Sequence, residues 1–295
     1  MTCAVFSFAE THPAAAALAT ELGVPVRAIE VRNFPDGESL VRVPEAARTA
    51  ILYRSLDNPN AKLVELLLAT AALRDGGARR VVLVAPYLAY MRQDMAFHPG
   101  EAVSQRIIGG LLAERFDALL TLDPHLHRIA SLSEAVPRIP ALALSAAPVL
   151  SGALDAGTRP VLVGPDAESR PWVAGIAAPL GLDVLVGEKH RDGDRAVRLS
   201  IPSVDLVRGR PAVLVDDVIS SGMTMIAAAR QLLDAGATGV EALATHCLAS
   251  QADLAALRAA GIARIRATAS VPGPVAELPV AALIAQALRD EDWLG

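Results

Sequence analysis

Two adjacent carboxylates, Asp216 and Asp217, follow the apolar run Ala212–Val215 and precede Ser220, Ser221, Gly222, Met223 and Thr224. A short apolar run with two valines reads as a buried strand. From Met225 to about Leu233 the apolar residues recur at helical spacing and Gly236 stops them, so the spacing predicts a helix opened by Thr224. A strand, a pair of acids, a small-residue loop and a helix N-terminus can do specific chemistry. Backbone N–H groups of such a loop close around a phosphate, the helix dipole favours its charge, and the acids can meet sugar hydroxyls or a cation. An ordinary capped turn uses the same residues, because the dipole favours acids at any helix N-terminus.

Other clusters shift that balance. Arg92-Gln93-Asp94, Asp123 with His125, Asp166, and Lys189 with Arg191 each follow an inferred strand. In open α/β sheets ligands bind beyond the carboxyl ends of strands, so the coincidence says more than any one cluster. In Asp123-Pro124-His125-Leu126-His127 an extended backbone would put both histidines on one side, as a metal site needs, although a strand-end turn explains them equally well. Two histidines without cysteine argue against structural zinc; a magnesium ion bridged to phosphates fits one histidine plus a carboxylate better. Lys189-His190-Arg191 runs into Asp192-Gly193-Asp194-Arg195, which is either a solvated turn or a cationic lid over a transferring phosphoryl group. Neither GxxxxGK[ST] nor GxGxxG occurs, so a P-loop or dinucleotide site is not expected.

The elements that must position these residues alternate. The chain has 295 residues, 53% of them hydrophobic, 20% charged and 3% aromatic, which suits two domains with aliphatic cores. Strands are expected at Ala4–Phe8, Val26–Val31, Leu40–Val43, Ala50–Tyr53, Arg80–Ala85 and Ala118–Leu122, with helices at Pro13–Leu22, Asn60–Arg74 and Glu101–Arg115. Asn33-Phe34-Pro35-Asp36-Gly37-Glu38 is a turn with two exposed acids. Proline and serine accumulate over Ser131–Pro148, which sets the expected division: domain 1–144, then domain 145–295. Strand and helix alternate again in the second half, so two similar α/β domains, each a mostly parallel sheet flanked by helices, are expected. A net charge of −5 argues against a nucleic-acid partner. The N-terminus lacks a signal-peptide pattern and the longest uncharged stretch is broken by Pro140 and Pro148, so no membrane is expected. Cys3 and Cys247 cannot form a disulfide framework; they read as buried thiols in a reducing, cytoplasmic setting.

Taken in order, NFPDGE (33–38), PYLAYMRQD (86–94), PGEAVS (99–104), DPH (123–125), PD (165–166), KHR (189–191) and VDDVISSGMT (215–224) resemble the ribose-phosphate pyrophosphokinase family, within the phosphoribosyltransferase superfamily. The resemblance implies transfer of the β,γ-diphosphate of ATP to ribose 5-phosphate, giving phosphoribosyl pyrophosphate and AMP, with Mg²⁺ as cofactor. It implies that Asp216, Asp217, Ser220, Ser221, Gly222, Met223 and Thr224 hold ribose 5-phosphate, that Arg92, Gln93 and Asp94 contact ATP, and that Phe34, Asp36 and Glu38 reach an adenine across a subunit interface. The first domain would be the ATP side and the second the ribose 5-phosphate side. His125 and Asp166 would hold magnesium, and Lys189 and Arg191 would be the catalytic cations. A dimer-based homo-oligomer, such as a hexamer, is implied as well. Met223 stands where the family usually has glycine, which puts bulk beside the phosphate loop. A salvage phosphoribosyltransferase would not need Arg92–Asp94 or His125, and a non-catalytic regulatory relative would not need Lys189 and Arg191.

Overall fold

Valine, leucine and isoleucine dominate the short apolar runs, and in the computed structural model these become parallel strands buried on both faces. The structure describes residues 2–126, 128–192 and 196–295, without the side chains of 168, 171 and 189–198. The first half runs β1 (Cys3–Ser7), α1 (His12–Leu22), β2 (Val26–Ala28), β3 (Glu30–Asn33), β4 (Ser39–Arg42), β5 (Thr49–Tyr53), α2 (Pro59–Asp75), β6 (Arg80–Val84), α3 (Ser104–Ala113), β7 (Ala118–Leu122), α4 (Leu132–Ala135) and β8 (Ala141–Leu144). The second runs α5 (Ala147–Gly152), β9 (Val161–Gly164), α6 (Arg170–Ala177), β10 (Val184–Val186), β11 (Glu188–Asp192), β12 (Ala196–Ser200), β13 (Pro211–Ile219), α7 (Met223–Asp234), β14 (Gly239–Cys247), α8 (Gln251–Ala259), β15 (Ile262–Thr268), β16 (Ala276–Leu278) and α9 (Ala281–Asp290).

The chain folds into two compact units. One six-stranded parallel sheet has the order β2-β1-β5-β6-β7-β8, the other β10-β9-β13-β14-β15-β16. Both follow a single plan, in which the first two strands are reversed relative to the rest. The reversal creates a crevice at the carboxyl ends of β1 and β5 in one unit, and of β9 and β13 in the other.

The expected division at 144/145 lies one residue from the start of the second unit at Ala146. The expectation that 145–295 form a single domain requires correction, because residues 279–295 belong to the first unit. The reason is packing: Val280, Ile284, Ala285, Leu288 and Trp293 join Ala15, Leu18 and Ala19 of α1 in one apolar cluster. Complete burial of a side chain such as Ile284 or Leu288 contributes about 1.5–3 kcal/mol, more than a separate C-terminal tail could gain in water.

Other differences are local. The expected strand 26–31 divides, its first part pairing with β1 and its second forming an antiparallel hairpin with β4. The third helix starts at Ser104 rather than Glu101. Residues 131–148, where the boundary is expected, hold α4, whose capping box joins Ser131 and Glu134, and β8. Lys189-His190-Arg191 lies on β11, paired antiparallel with β12, and residues 193–195 of the expected loop lie outside the described residues.

Candidate active site

The acid pair does not stand at a strand end. β13 continues through both acids to Ile219, because β14 is long enough to offer partners: Asp216 pairs in register with Ala244, and Val218 with His246. Neighbouring β9 ends at Gly164 and delivers Pro165 and Asp166 beside them, at the crevice of the second sheet. A Cβ at Gly187 would lie 2.7 Å from the Pro165 carbonyl oxygen, so only glycine allows the chain after β10 to come this close. Asp166 Oδ1 accepts the backbone N–H of Ser169 at 3.2 Å, and Asp216 Oδ1 accepts that of Asp217 at 3.0 Å.

Three carboxylates therefore act on one another. Burial first, then the charge of Asp217 and a hydrogen bond with it, then the charge of Asp166, push the Asp216 carboxyl up to about 8. Without a ligand this position holds a proton at neutral pH.

The loop after β13 exposes Ser220 and Ser221 and turns at Gly222, whose φ is +71°. A Cβ there would meet Leu257 Cδ2 at 2.7 Å, so glycine is required both by conformation and by space. Gly222 is the N-cap and α7 begins at Met223, so Thr224 lies inside the first turn instead of opening the helix. The first amides of α7 have no acceptor within the helix and face the loop as an anion-binding end. Met223 is 67% exposed; its side chain leaves the loop for solvent.

In the first unit, Pro86–Asp94 follows β6 and contains Tyr90 at φ +64°; Asp123, after β7, has φ +31°. Such backbone strain in non-glycine residues collects at functional sites. Arg92 is exposed and Gln93 half-buried, whereas the side chain of Asp94 is 1% exposed. Asp94 Oδ1 accepts from Arg128 Nη1 at 2.7 Å, and the guanidinium of Arg128 lies 5.6 Å from the Phe97 ring centroid. Glu101 accepts from the Phe97 N–H at 2.8 Å and from Gln93 Nε2 at 3.1 Å, closing the segment on itself. Phe34, Asp36 and Glu38 are exposed on the β3–β4 turn, with Arg32 over the Phe34 ring and Asp36 Oδ1 accepting the Glu38 N–H at 3.2 Å.

His125 is half-buried in the first unit, and Asp166 belongs to the second. Among the described residues, no three His, Cys, Asp or Glu side chains are grouped so as to hold a metal ion by themselves. The expected roles of the Lys189 and Arg191 side chains, and of His127, fall outside the described residues. Cys3 is buried and Cys247 half-buried, both free thiols that burial pushes up. Sequence reasoning missed Arg128, because its partner Asp94 is 34 residues away and no local pattern links them.

Residues 3–115 match the N-terminal domain of ribose phosphate pyrophosphokinase, and residues 134–271 the phosphoribosyl transferase domain. A ribose-phosphate pyrophosphokinase of Methanopyrus kandleri is 37% identical over 278 residues, 92% of this chain and 94% of that one. The chain belongs to the ribose-phosphate pyrophosphokinase family. A relative of the same name from Halobacterium salinarum is 32% identical over 290 residues, 96% of this chain and all of that one. The crystal structure of phosphoribosylpyrophosphate synthetase from Mycobacterium smegmatis superposes with a TM-score of 0.82 at 26% identity, covering 100% of both chains. The two parallel sheets are thus those of a ribose-phosphate pyrophosphokinase, and this chain is an enzyme of that family. Among the described residues, no helix is long and apolar enough to cross a membrane.

Proposed function

We propose that the protein transfers the β,γ-diphosphate of ATP to the anomeric hydroxyl of ribose 5-phosphate, giving phosphoribosyl pyrophosphate and AMP. The observation that carries this is one chain holding both the acid pair with its glycine-turned loop and a complete pyrophosphokinase-type first unit. A salvage phosphoribosyltransferase would account for residues 134–271 and leave residues 3–115 without a role.

Ribose 5-phosphate sits with its phosphate on the amides of 220–224 and its hydroxyls on Asp216 and Asp217. Arg92 and Gln93 supply contacts to ATP, with Asp94 held in place by Arg128. Phe34, Asp36 and Glu38 meet the adenine of a partner subunit. In the reaction the anomeric oxygen bonds to the β-phosphorus, the bond from that phosphorus to the α,β-bridging oxygen breaks, AMP leaves with that oxygen, and the hydroxyl gives up its proton. Phosphoryl transfer asks a protein for positioning and charge neutralisation, and Lys189 and Arg191 supply positive charge for the latter. Mg²⁺ is the proposed cofactor and would neutralise phosphate charge when bound. A hard dication bound beside Asp166 would lessen the repulsion that raises the Asp216 carboxyl. Asp166 in the second unit and His125 in the first are proposed as magnesium donors, each within its own unit. A homo-oligomer built from dimers belongs to the same proposal, supported by the exposed apolar side chains Phe34, Leu40, Val64 and Leu68. So does a cytoplasmic location, supported by the free thiols.

Purified protein given ATP, ribose 5-phosphate and magnesium should form AMP and phosphoribosyl pyrophosphate in equal amounts, and EDTA should stop both. ADP in place of AMP would mean transfer of a single phosphoryl group and would refute the proposal. Ligand binding with neither product would favour a non-catalytic regulatory role.

A further inference from the structure

We propose that Glu65 is a positioning residue for the 34–38 turn, acting through Ser39 from an ion cluster around the buried Arg54 at the crevice of the first sheet. Both sheets have the same strand order, so each has a crevice where that order reverses. In the second unit it is flanked by Asp166 and Asp216. In the first unit the corresponding place, beyond β1 and β5, is where Phe8 and Arg54 stand.

Phe8 follows β1 and Arg54 follows β5. Arg54 is 4% exposed, and its guanidinium carbon lies 3.6 Å from the Phe8 ring centroid. Its Nε donates to Glu10 Oε1 at 2.8 Å, its Nη2 to Glu65 Oε2 at 2.5 Å and its Nη1 to the Lys62 carbonyl at 3.2 Å. Glu65, 6% exposed on α2, uses its other oxygen outside the cluster: Oε1 accepts from the Ser39 hydroxyl at 3.2 Å. Ser39 is the first residue of β4, next to Glu38.

A buried ion cluster loses much of its Coulombic gain to desolvation, and apolar side chains would fill the same space at similar or lower cost. What the ions add is direction. Val31 and Val41 pack the middle of the hairpin on the core, and the ladder ends at the Asn33–Ser39 pair. The second oxygen of Glu65, held by Arg54, gives the root of the turn one fixed hydrogen-bond partner. Phe34, Asp36 and Glu38 project from a turn whose own bonds are local: the Phe34 N–H to the Glu38 carbonyl at 2.8 Å and the Gly37 N–H to the Phe34 carbonyl at 2.9 Å.

This inference rests on the proposed contact between the turn and a nucleotide, so the test includes Phe34→Ala beside Ser39→Ala and Ser39→Thr in the full chain. Steady-state kinetics in both substrates and thermal unfolding are measured for each. Ser39→Ala should raise KM for ATP about fivefold, a loss the size of one such hydrogen bond, with kcat and KM for ribose 5-phosphate unchanged. Ser39→Thr should restore KM. If Phe34→Ala raises KM for ATP while Ser39→Ala does not, the positioning role is wrong and the nucleotide contact stands. A loss of kcat and thermal stability at unchanged KM would make the bond merely structural, and failure of Ser39→Thr to restore KM would rule out the hydroxyl. If Phe34→Ala leaves KM unchanged, the nucleotide contact of the turn falls and the positioning role with it.

Discussion

Asp216→Asn tests the electrostatics of the acid site in the unliganded protein. The wild-type carboxyl is raised from an ordinary value of 3.8 to about 8, by burial first and then by Asp217 and Asp166. In the unfolded chain the same group ionises near pH 4. Between about pH 4 and pH 8 the folded state therefore binds one more proton than the unfolded state, and stability must fall as pH rises through that window. At about 1.4 kcal/mol per unit, a fully isolated group would lose between about 5 and 6 kcal/mol. Because Asp217 and Asp166 interact with it, the proton belongs to the group of acids, and a single replacement recovers about 2 kcal/mol. Asparagine keeps the acceptor for the Asp217 N–H, which lies 3.0 Å from Asp216 Oδ1, so little geometry is lost. The variant should match wild type at pH 4 and melt about 4–8 °C higher at pH 8, while binding ribose 5-phosphate poorly. Calorimetry of the ligand-free proteins across this range is the assay. Equal midpoints at pH 8, or a variant less stable there than wild type, would refute the picture of a half-buried, mutually repelling acid group.

Gly222→Ala forces a left-handed φ on alanine and drives a methyl into Leu257, so it should cost about 2–3 kcal/mol in denaturant unfolding and raise KM for ribose 5-phosphate. Arg128→Ala leaves the buried Asp94 carboxylate without its partner and should destabilise by about 2–3 kcal/mol, as denaturant unfolding of the two proteins will show. Lys189→Ala should lower turnover about 10²–10³-fold, the usual loss for one transition-state contact, with ribose 5-phosphate affinity nearly unchanged by calorimetric titration; an unchanged rate would remove Lys189 from the chemistry.

The alternation of buried strands and helices was legible because apolar runs such as Val81–Val84 and Leu119–Leu122 can be buried on both faces only in a parallel sheet. The polar clusters were legible for the same reason, since strand ends are where such a sheet leaves room for them. The placement of α9 was not. Its apolar face at Ile284, Ala285 and Leu288 is clear in sequence, but nothing local says that it packs on α1 rather than on the sheet just completed. Arg128 and Glu65 were illegible for a related reason: each acts through a partner far along the chain, Asp94 in one case and Ser39, 26 residues earlier, in the other. Periodicity and motif spacing carry no information about such pairs.

The strand boundary at the acids is the instructive miss. Two adjacent aspartates are poor strand formers, and read locally they end β13. Tertiary pairing overrides that preference, since β14 continues beside them and Ile219, buried at 1%, gains by staying in the sheet. Asp216 and Asp217 are therefore held by backbone pairing on either side of them and not by a loop. Burial first, then the nearness of Asp217 and Asp166 that this backbone fixes, raises the Asp216 carboxyl. A flexible loop carrying the same two residues would let each acid find water and would lose both the repulsion and the fixed spacing. The sheet thus keeps a half-buried pair of acids beside the glycine-turned loop, and hydroxyl donors or a cation arriving there meet acceptors whose backbone is already fixed.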